Sequence, residues 1–187
     1  MWILDSLPDV ITTILDPSCA IVGGPRSYTA LQISAAWHLY HPFLNMIKGD
    51  VFHHVVLALP LFGVGLGYNI GSIASTALCF AEGVPAAVRR TASLLVHLGY
   101  MDAMTQKRIE FEIYTSIRAV GAIYCGVLIY TTMQFSEAPR WVLLLCTVSS
   151  IFNSVRYSRM YSKHYYEQRL FKKLKESVMA RQSFAAA

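Results

Sequence analysis

The sequence predicts an all-α protein, a polytopic transmembrane helical bundle of about five spans, with the N-terminus outside and the C-terminus inside. Composition, chain length and the distribution of basic residues support this prediction. Hydrophobic residues make up 55% of the 187 residues and charged residues only 14%, whereas soluble domains carry about 25% charge. At about 20 residues per span, the chain has room for five or six helices, which excludes a twelve-helix transporter.

The chain divides into an N-terminal interfacial segment (residues 1–27), a transmembrane bundle (28–157) and a basic C-terminal tail (158–187). In the first segment, Leu4, Leu7, Ile11 and Leu15 recur at helical spacing. This pattern predicts a short amphipathic helix lying on the membrane. The segment is acidic and has no basic n-region, so we expect no signal peptide.

Five apolar runs form the predicted bundle. They cover residues 28–47, 51–68, 70–88, 113–135 and 141–157. Three of the connections are only a few residues long, which favours antiparallel helix hairpins. The fourth connection, residues 89–112, is predicted to be a polar loop around a short apolar stretch. The tail is predicted to be a basic amphipathic helix on the inner face, in contact with lipid phosphates or an acidic partner.

Basic residues give the orientation. Of the 16 Lys and Arg residues, 13 fall in segments that this topology places inside, two (Arg26 and Arg140) fall outside, and Arg118 lies within a span. This asymmetry satisfies the positive-inside rule. We therefore attribute the basic charge to topology and not to nucleic-acid binding, and expect the endoplasmic reticulum or an organellar inner membrane as the location.

Several ionisable residues lie within or at the ends of the predicted spans, where they are costly and therefore indicate function. The topology places all of them in the inner-leaflet half of the bundle, which predicts one polar site that binds lipid. Its candidate residues are His38, His41, Asp50, His53, His54, Glu82 and Arg118, with Tyr114 one turn before Arg118.

Structural alternatives exist for parts of this set. Glu82 and Arg118 alone would make a buried neutralising pair. His53 and His54 point about 100° apart on a helix, so one of them can be structural while the other binds. A tyrosine-rich group is expected to form interfacial belts; its members are Trp141, Tyr157, Tyr161, Tyr165 and Tyr166.

Metal and pigment chemistry is less favoured than lipid binding. Some of His38, His41, Asp50, His53 and His54 have the donor chemistry to hold a zinc ion. No spacing motif supports a haem or chlorophyll site, and the four cysteines lack metal-ligand spacing, so we expect free thiols. The expected bound group is a phospholipid, and no catalytic residue is assigned.

A series of short motifs resembles the TLC family (TRAM, Lag1 and CLN8 homology) over roughly residues 28–157. It comprises Asp50-Val51-Phe52-His53-His54, then Asn69, Glu82-Gly83-Val84-Pro85, Phe111 and Arg118. The resemblance implies a polytopic membrane protein that handles or senses lipid. The ceramide synthases of this family carry paired Asp residues where this chain has none in residues 77–82, so the likeness is nearer to the members that are not synthases.

Two functions remain open. In the first, Arg118 holds a lipid phosphate or carboxylate, and His53 or His54 acts as a hydrogen-bond partner or general base that Asp50 orients. In the second, the chain is a non-catalytic accessory subunit of a large organellar complex (respiratory, ATP synthase or photosynthetic). The polar site then holds a structural lipid, and the tail contacts other membrane subunits.

Overall fold

The computed structural model describes residues 2–21, 25–45, 54, 59–68, 70–136 and 138–185. These residues form helices and short connections without a strand, which confirms the all-α prediction. The helices are α1 (Trp2–Leu15), α2 (Pro25–Asn45), α3 (Leu59–Gly67), α4 (Ser72–Leu78), α5 (Val84–His97), α6 (Ala103–Glu112), α7 (Ala119–Thr132) and α8 (Arg140–Ala185). Two wider, π-helical turns join neighbouring helices: π1 (Cys79–Gly83) links α4 to α5, and π2 (Ile113–Arg118) links α6 to α7.

One continuous helix, Ala103–Phe135, is long and apolar enough to cross a membrane, and it is the single such helix among the described residues. It consists of α6, π2, α7 and a final 3₁₀ turn. Its outer side is apolar, because Val120, Ile123, Val127 and Tyr130 are each more than half exposed. The structure thus supports one membrane-spanning helix by length and composition, and the count of five stays a prediction.

The core lies where α4, α7 and α8 meet. Ile73 packs there with Cys125, Ile129 and Leu143. Helix α7 runs antiparallel to α8, since Gly126 lies beside Thr147 while Tyr114, earlier in the chain, stacks on Tyr161. Helix α2 packs against α3 and α4.

Helix α1 packs against α2 and α4 through a polar face. The hydroxyl oxygens of Thr13 and Ser72 lie 3.0 Å apart, and the Thr76 hydroxyl donates to Thr13 Oγ1 at 3.2 Å. Such small polar side chains let helices approach closely, as they do in membrane proteins. The opposite face of α1 carries Leu4 and Leu15, which are exposed. Whether this face lies on a membrane surface stays a prediction.

The prediction of a long polar loop at residues 89–112 is wrong. Helix α5 continues to His97 and α6 begins at Ala103, so only a short turn separates them. Gly99 ends α5 with a φ of +77°, which glycine adopts without strain. Asp102 then caps α6 by accepting hydrogen bonds from the backbone N–H groups of Met104 and Thr105. These bonds, with one from the Thr105 hydroxyl as the largest cause, lower the pKa of Asp102.

The tail is helical as predicted, but nothing separates it from the last predicted span. Helix α8 runs unbroken from Arg140 to Ala185. At a rise of about 1.5 Å per residue, residues 158–185 extend about 42 Å past residue 157. If α8 crosses a membrane, this unbroken helix projects away from the surface, and the predicted position of the tail flat on the inner face does not follow.

The two π-helical turns are in contact with each other, and each carries residues of the predicted site. In π1 the cause is local: Pro85 has no N–H to bond the carbonyl of Ala81, and the backbone widens so that the Val84 N–H bonds to the Cys79 carbonyl. Gly121 lets α7 approach this turn, since a Cβ at that position would lie only 2.4 Å from the Phe80 ring. Glu82 of π1 thereby comes close to Arg118 of π2.

Candidate functional site

The carboxylate of Glu82 makes the first set of polar contacts. Its Oε1 lies 3.0 Å from Nε2 of His38, and its Oε2 accepts a hydrogen bond of 2.7 Å from the hydroxyl of Ser34. His38 is buried, and the Glu82 side chain is about three-quarters buried. Helix α2 presents Ser34 and His38 together because residues four apart share a helix face.

The protonation of the His38–Glu82 pair follows from its hydrogen bonds. Nδ1 of His38 lies 2.8 Å from the backbone carbonyl of Ser34, and because a carbonyl only accepts, Nδ1 is the donor. Nε2 then either donates to a Glu82 carboxylate or accepts from a Glu82 carboxylic acid. The pair shares one proton in both cases, so its net charge is zero.

His54 and Phe62 enclose the other side of His38. The ring centroids of His38 and His54 are 5.1 Å apart, and those of His38 and Phe62 are 4.9 Å apart. His54 is only 5% exposed. The structure therefore places His54 next to the His38–Glu82 pair, as the site hypothesis requires.

Arg118 is the charged group at the centre of the second set of contacts. It is 5% exposed, and its guanidinium carbon lies 4.2 Å from the ring of Tyr157 and 5.3 Å from the ring of Tyr114. Aromatic faces attract a cation but do not neutralise it. Among the described residues no carboxylate lies within ion-pair distance of Arg118, and its buried Nε has no hydrogen-bond partner.

The tyrosines around Arg118 are fixed by contacts between π2 and α8. Tyr114 stacks on Tyr161 with ring centroids 3.8 Å apart, and the Tyr161 hydroxyl accepts a hydrogen bond of 3.1 Å from Arg89. Ser158 donates a 2.7 Å hydrogen bond to the backbone carbonyl of Tyr114. Tyr157 and Tyr161 thus pack against π2 while staying partly exposed, and their assignment to an interfacial belt stays a prediction.

An apolar cavity of about 120 Å³ adjoins the first set of contacts. Glu82, Thr147, Ser150 and Asn153 supply its polar groups, while helices α2, α3, α4, α7 and α8 supply apolar side chains. Oδ1 of Asn153 is buried and has no hydrogen-bond partner.

The structure brings five of the predicted site residues into one region: His38, His54, Glu82, Arg118 and Tyr114. Asp50 and His53 lie outside the described residues, as does the side chain of His41. Glu82 bonds to His38 and Ser34, so Glu82 and Arg118 are not the isolated ion pair considered from the sequence. The predicted lipid-binding role of these residues stays a prediction.

Sequence reasoning missed three contributors, namely Ser34, Phe62 and Asn153. Ser34 had a usable signal, because it stands one turn before His38 on the same face. Asn153 did too, as an amide within a predicted span. Phe62 carried none, since an apolar residue in an apolar run is unremarkable in sequence.

A metal site would need at least three ligating side chains close together in the part of the chain that the structure describes. No three His, Cys, Asp or Glu side chains of that part of the chain are arranged to hold an ion. Of the five residues considered for zinc, Asp50, His53 and the side chain of His41 are outside it. The four cysteines are free thiols, as the sequence predicted.

Comparison with known proteins gives no match, whether with protein-family models, with curated proteins or with solved structures. The resemblance to the TLC family therefore stays a hypothesis drawn from the motifs.

Proposed function

We propose that this chain is an integral membrane protein whose buried polar site binds the anionic headgroup of a lipid. One observation carries the proposal: Arg118 is a buried cation without a counterion among the described residues. The neighbouring His38–Glu82 pair has no net charge and therefore does not neutralise Arg118. Because arginine stays protonated and an unpaired buried charge is costly, an anion with phosphate or carboxylate geometry is the ligand that suits the site.

The distribution of side chains supports a membrane environment. Large apolar residues cover the outside of the α7–α8 hairpin, for example Val127, Trp141 and Val148. Small polar residues, such as Ser72 and Thr76, are buried between helices. A water-soluble protein rarely exposes so extended an apolar surface, whereas lipid tails solvate it.

Within this proposal the bundle has five spans, with the N-terminus outside and the C-terminus inside, in the endoplasmic reticulum or an organellar inner membrane. The 13-to-2 asymmetry of basic residues supports it. We expect single cysteines introduced at Asp5 and Gln182 to react with an impermeant thiol reagent from opposite sides of a sealed membrane. Labelling of both from the same side would contradict the topology.

The site suits binding or sensing better than catalysis. Both oxygens of Glu82 and both ring nitrogens of His38 already have partners in the fold. A general base needs a free lone pair directed at its substrate. In this arrangement His38 has none left, and each Glu82 oxygen is already held by a contact within the fold. This agrees with the resemblance to TLC members that are not ceramide synthases.

Lipid-dependent unfolding tests the proposed function. A ligand that binds only the folded state raises the unfolding temperature. For the full chain in a non-ionic detergent, we expect phosphatidate or lysophosphatidate to raise that temperature more than the matching choline lipid. If neither anionic lipid differs from its choline counterpart, the site does not select anionic headgroups and the proposal fails.

A second candidate function, accessory subunit of a membrane complex, is favoured by the surface of the tail. Leu170, Phe171, Leu174 and Val178 are all more than half exposed and share one side of α8. Lysines flank this stripe, so an acidic amphipathic helix of another subunit would complement it. Purification from native membranes in mild detergent separates the candidates, because a subunit comes out in a stoichiometric complex and a solitary lipid-binding protein comes out alone.

A further inference from the structure

The cavity beside Glu82 extends along the helices, and its two ends are lined by different residues. Phe80 packs on Gly121 and Ile73 packs among Cys125 and Ile129, so α4 and α7 are antiparallel. Since α8 is also antiparallel to α7, helices α4 and α8 run the same way. Glu82 and Asn153 therefore lie at one end of the cavity, and Ile73 and Cys146 lie at the other.

The dimensions of the cavity restrict what it can hold. The ten residues from Ile73 to Glu82 are separated by nine helical steps, which span about 14 Å. The volume of about 120 Å³ is below the range of about 300–1,000 Å³ that encloses compact drug-sized ligands. A long cavity of this volume has room for a segment of one alkyl chain, and it has no room for a second chain beside that segment or for a fused ring system.

The polar end of the cavity specifies the group next to that chain. Oδ1 of Asn153 is a buried acceptor without a partner, which a donor on a ligand, such as a hydroxyl, would satisfy. Tyr157, whose ring contacts the Arg118 guanidinium at 4.2 Å, stands one turn after Asn153 on the same face of α8. From the end at Ile73 and Cys146, the cavity thus leads to the Asn153 acceptor, and the tyrosine that contacts the Arg118 cation follows one turn later along α8.

We propose that the site takes a single-chain anionic amphiphile, with its alkyl chain in the cavity, a hydroxyl on Asn153 and its anionic group on Arg118. This inference rests on the proposed function and deepens it by naming the ligand class. It excludes two-chain phospholipids as the preferred ligand, and it excludes the free anion, which would leave the cavity and Asn153 unoccupied.

Binding to the full chain in a non-ionic detergent tests the proposal with three probes: oleoyl lysophosphatidate, dioleoyl phosphatidate and inorganic phosphate. We expect lysophosphatidate to bind at least tenfold more tightly than phosphatidate, and inorganic phosphate to show no measurable binding. Ala77→Leu, which fills the cavity, should weaken lysophosphatidate binding at least tenfold. Ala87→Leu, which adds the same atoms at an exposed position of α5, should leave it unchanged.

A second variant keeps the test decisive if Ala77→Leu does not fold. The natural chain should prefer lysophosphatidate over its analogue without the hydroxyl, and Asn153→Ala should abolish that preference. The single-chain proposal would be overturned if the natural chain bound lysophosphatidate and this analogue equally. It would also be overturned if Ala77→Leu bound lysophosphatidate as tightly as the natural chain. If the lipid binding in either case still depended on Arg118, the proposed function would stand and only the single-chain proposal would fail. If the binding did not depend on Arg118, the proposed function and the single-chain proposal would both fail.

Discussion

Replacing Arg118 by methionine is expected to weaken binding of an anionic lipid by roughly 10- to 100-fold, since a hydrogen bond to a charged group contributes about 1.5–3 kcal/mol. The free energy of unfolding should not fall in parallel with lipid binding. Methionine has a similar length and no charge, so the variant no longer buries the unpaired cation of the ligand-free protein. The lost contacts with Tyr114 and Tyr157 offset part of this gain. We therefore expect the free energy of unfolding of ligand-free protein to stay equal or to rise by up to about 2 kcal/mol.

Lipid titration and denaturation in mixed micelles measure the two effects separately. Arg140→Met is the matched control, because Arg140 is exposed at the first residue of α8, far along that helix from Tyr157. It should change neither quantity. A variant at Arg118 that unfolds more easily yet binds lipid normally would show that the arginine serves the fold through its tyrosine contacts and not a ligand.

Replacing His38 by phenylalanine is expected to lower the free energy of unfolding by about 3–5 kcal/mol, the usual cost of removing one member of a buried pair. The phenyl ring keeps the contacts with His54 and Phe62. The Glu82 carboxylate, however, loses its partner at 3.0 Å and keeps only Ser34. Denaturation of the full chain in micelles measures the loss.

Two companion variants distinguish a lost pair from lost packing. Glu82→Gln should cost under about 1 kcal/mol, because its amide donates to a neutral His38 and its carbonyl accepts from Ser34, which preserves both hydrogen bonds. The double variant His38→Phe with Glu82→Leu should recover most of the loss, since both polar partners are gone. If the double variant is as unstable as His38→Phe alone, the loss comes from packing at α2 and not from a stranded carboxylate.

Part of the site could be predicted because polar residues in apolar runs are conspicuous. His38, His54, Glu82 and Arg118 each break a hydrophobic stretch, and their burial together was expected from the cost of exposing such groups to apolar surroundings. The prediction that these residues lie at a common depth came from the topology, which rests on the positions of Lys and Arg in the connections. These signals depend on composition and spacing, which a sequence shows directly.

The pairing within the site could not be predicted in the same way. Opposite charge made Arg118 the natural partner of Glu82, yet Glu82 bonds to His38. The choice depends on the rotation of each helix, and π1 and π2 both change that rotation. Pro85 gives a reason for π1, but π2 has no proline or glycine within it, so its sequence offers no comparable cue. Without those turns, the contacts of Tyr114 and Tyr157 with Arg118 could not be foreseen.

The turn between α5 and α6 is the opposite case. The sequence carried a signal for two helix ends, but the polar residues around it led to the prediction of a loop. Gly99 and Asp102 are a helix C-terminal glycine and a helix N-cap at the expected spacing. Polar residues at 89–112 nevertheless suggested a loop. They are polar because α5 and α6 continue past the apolar part of the bundle, where exposed helix faces carry charge.

Native mass spectrometry of the full chain, released from non-ionic micelles after purification from membranes, tests the central claim most directly. We predict one anionic lipid bound to each natural chain and to Arg140→Met, and none bound to Arg118→Met. A natural chain that carries no anionic lipid, or an Arg118→Met chain that retains one, would contradict the assignment of Arg118 as the headgroup-binding residue.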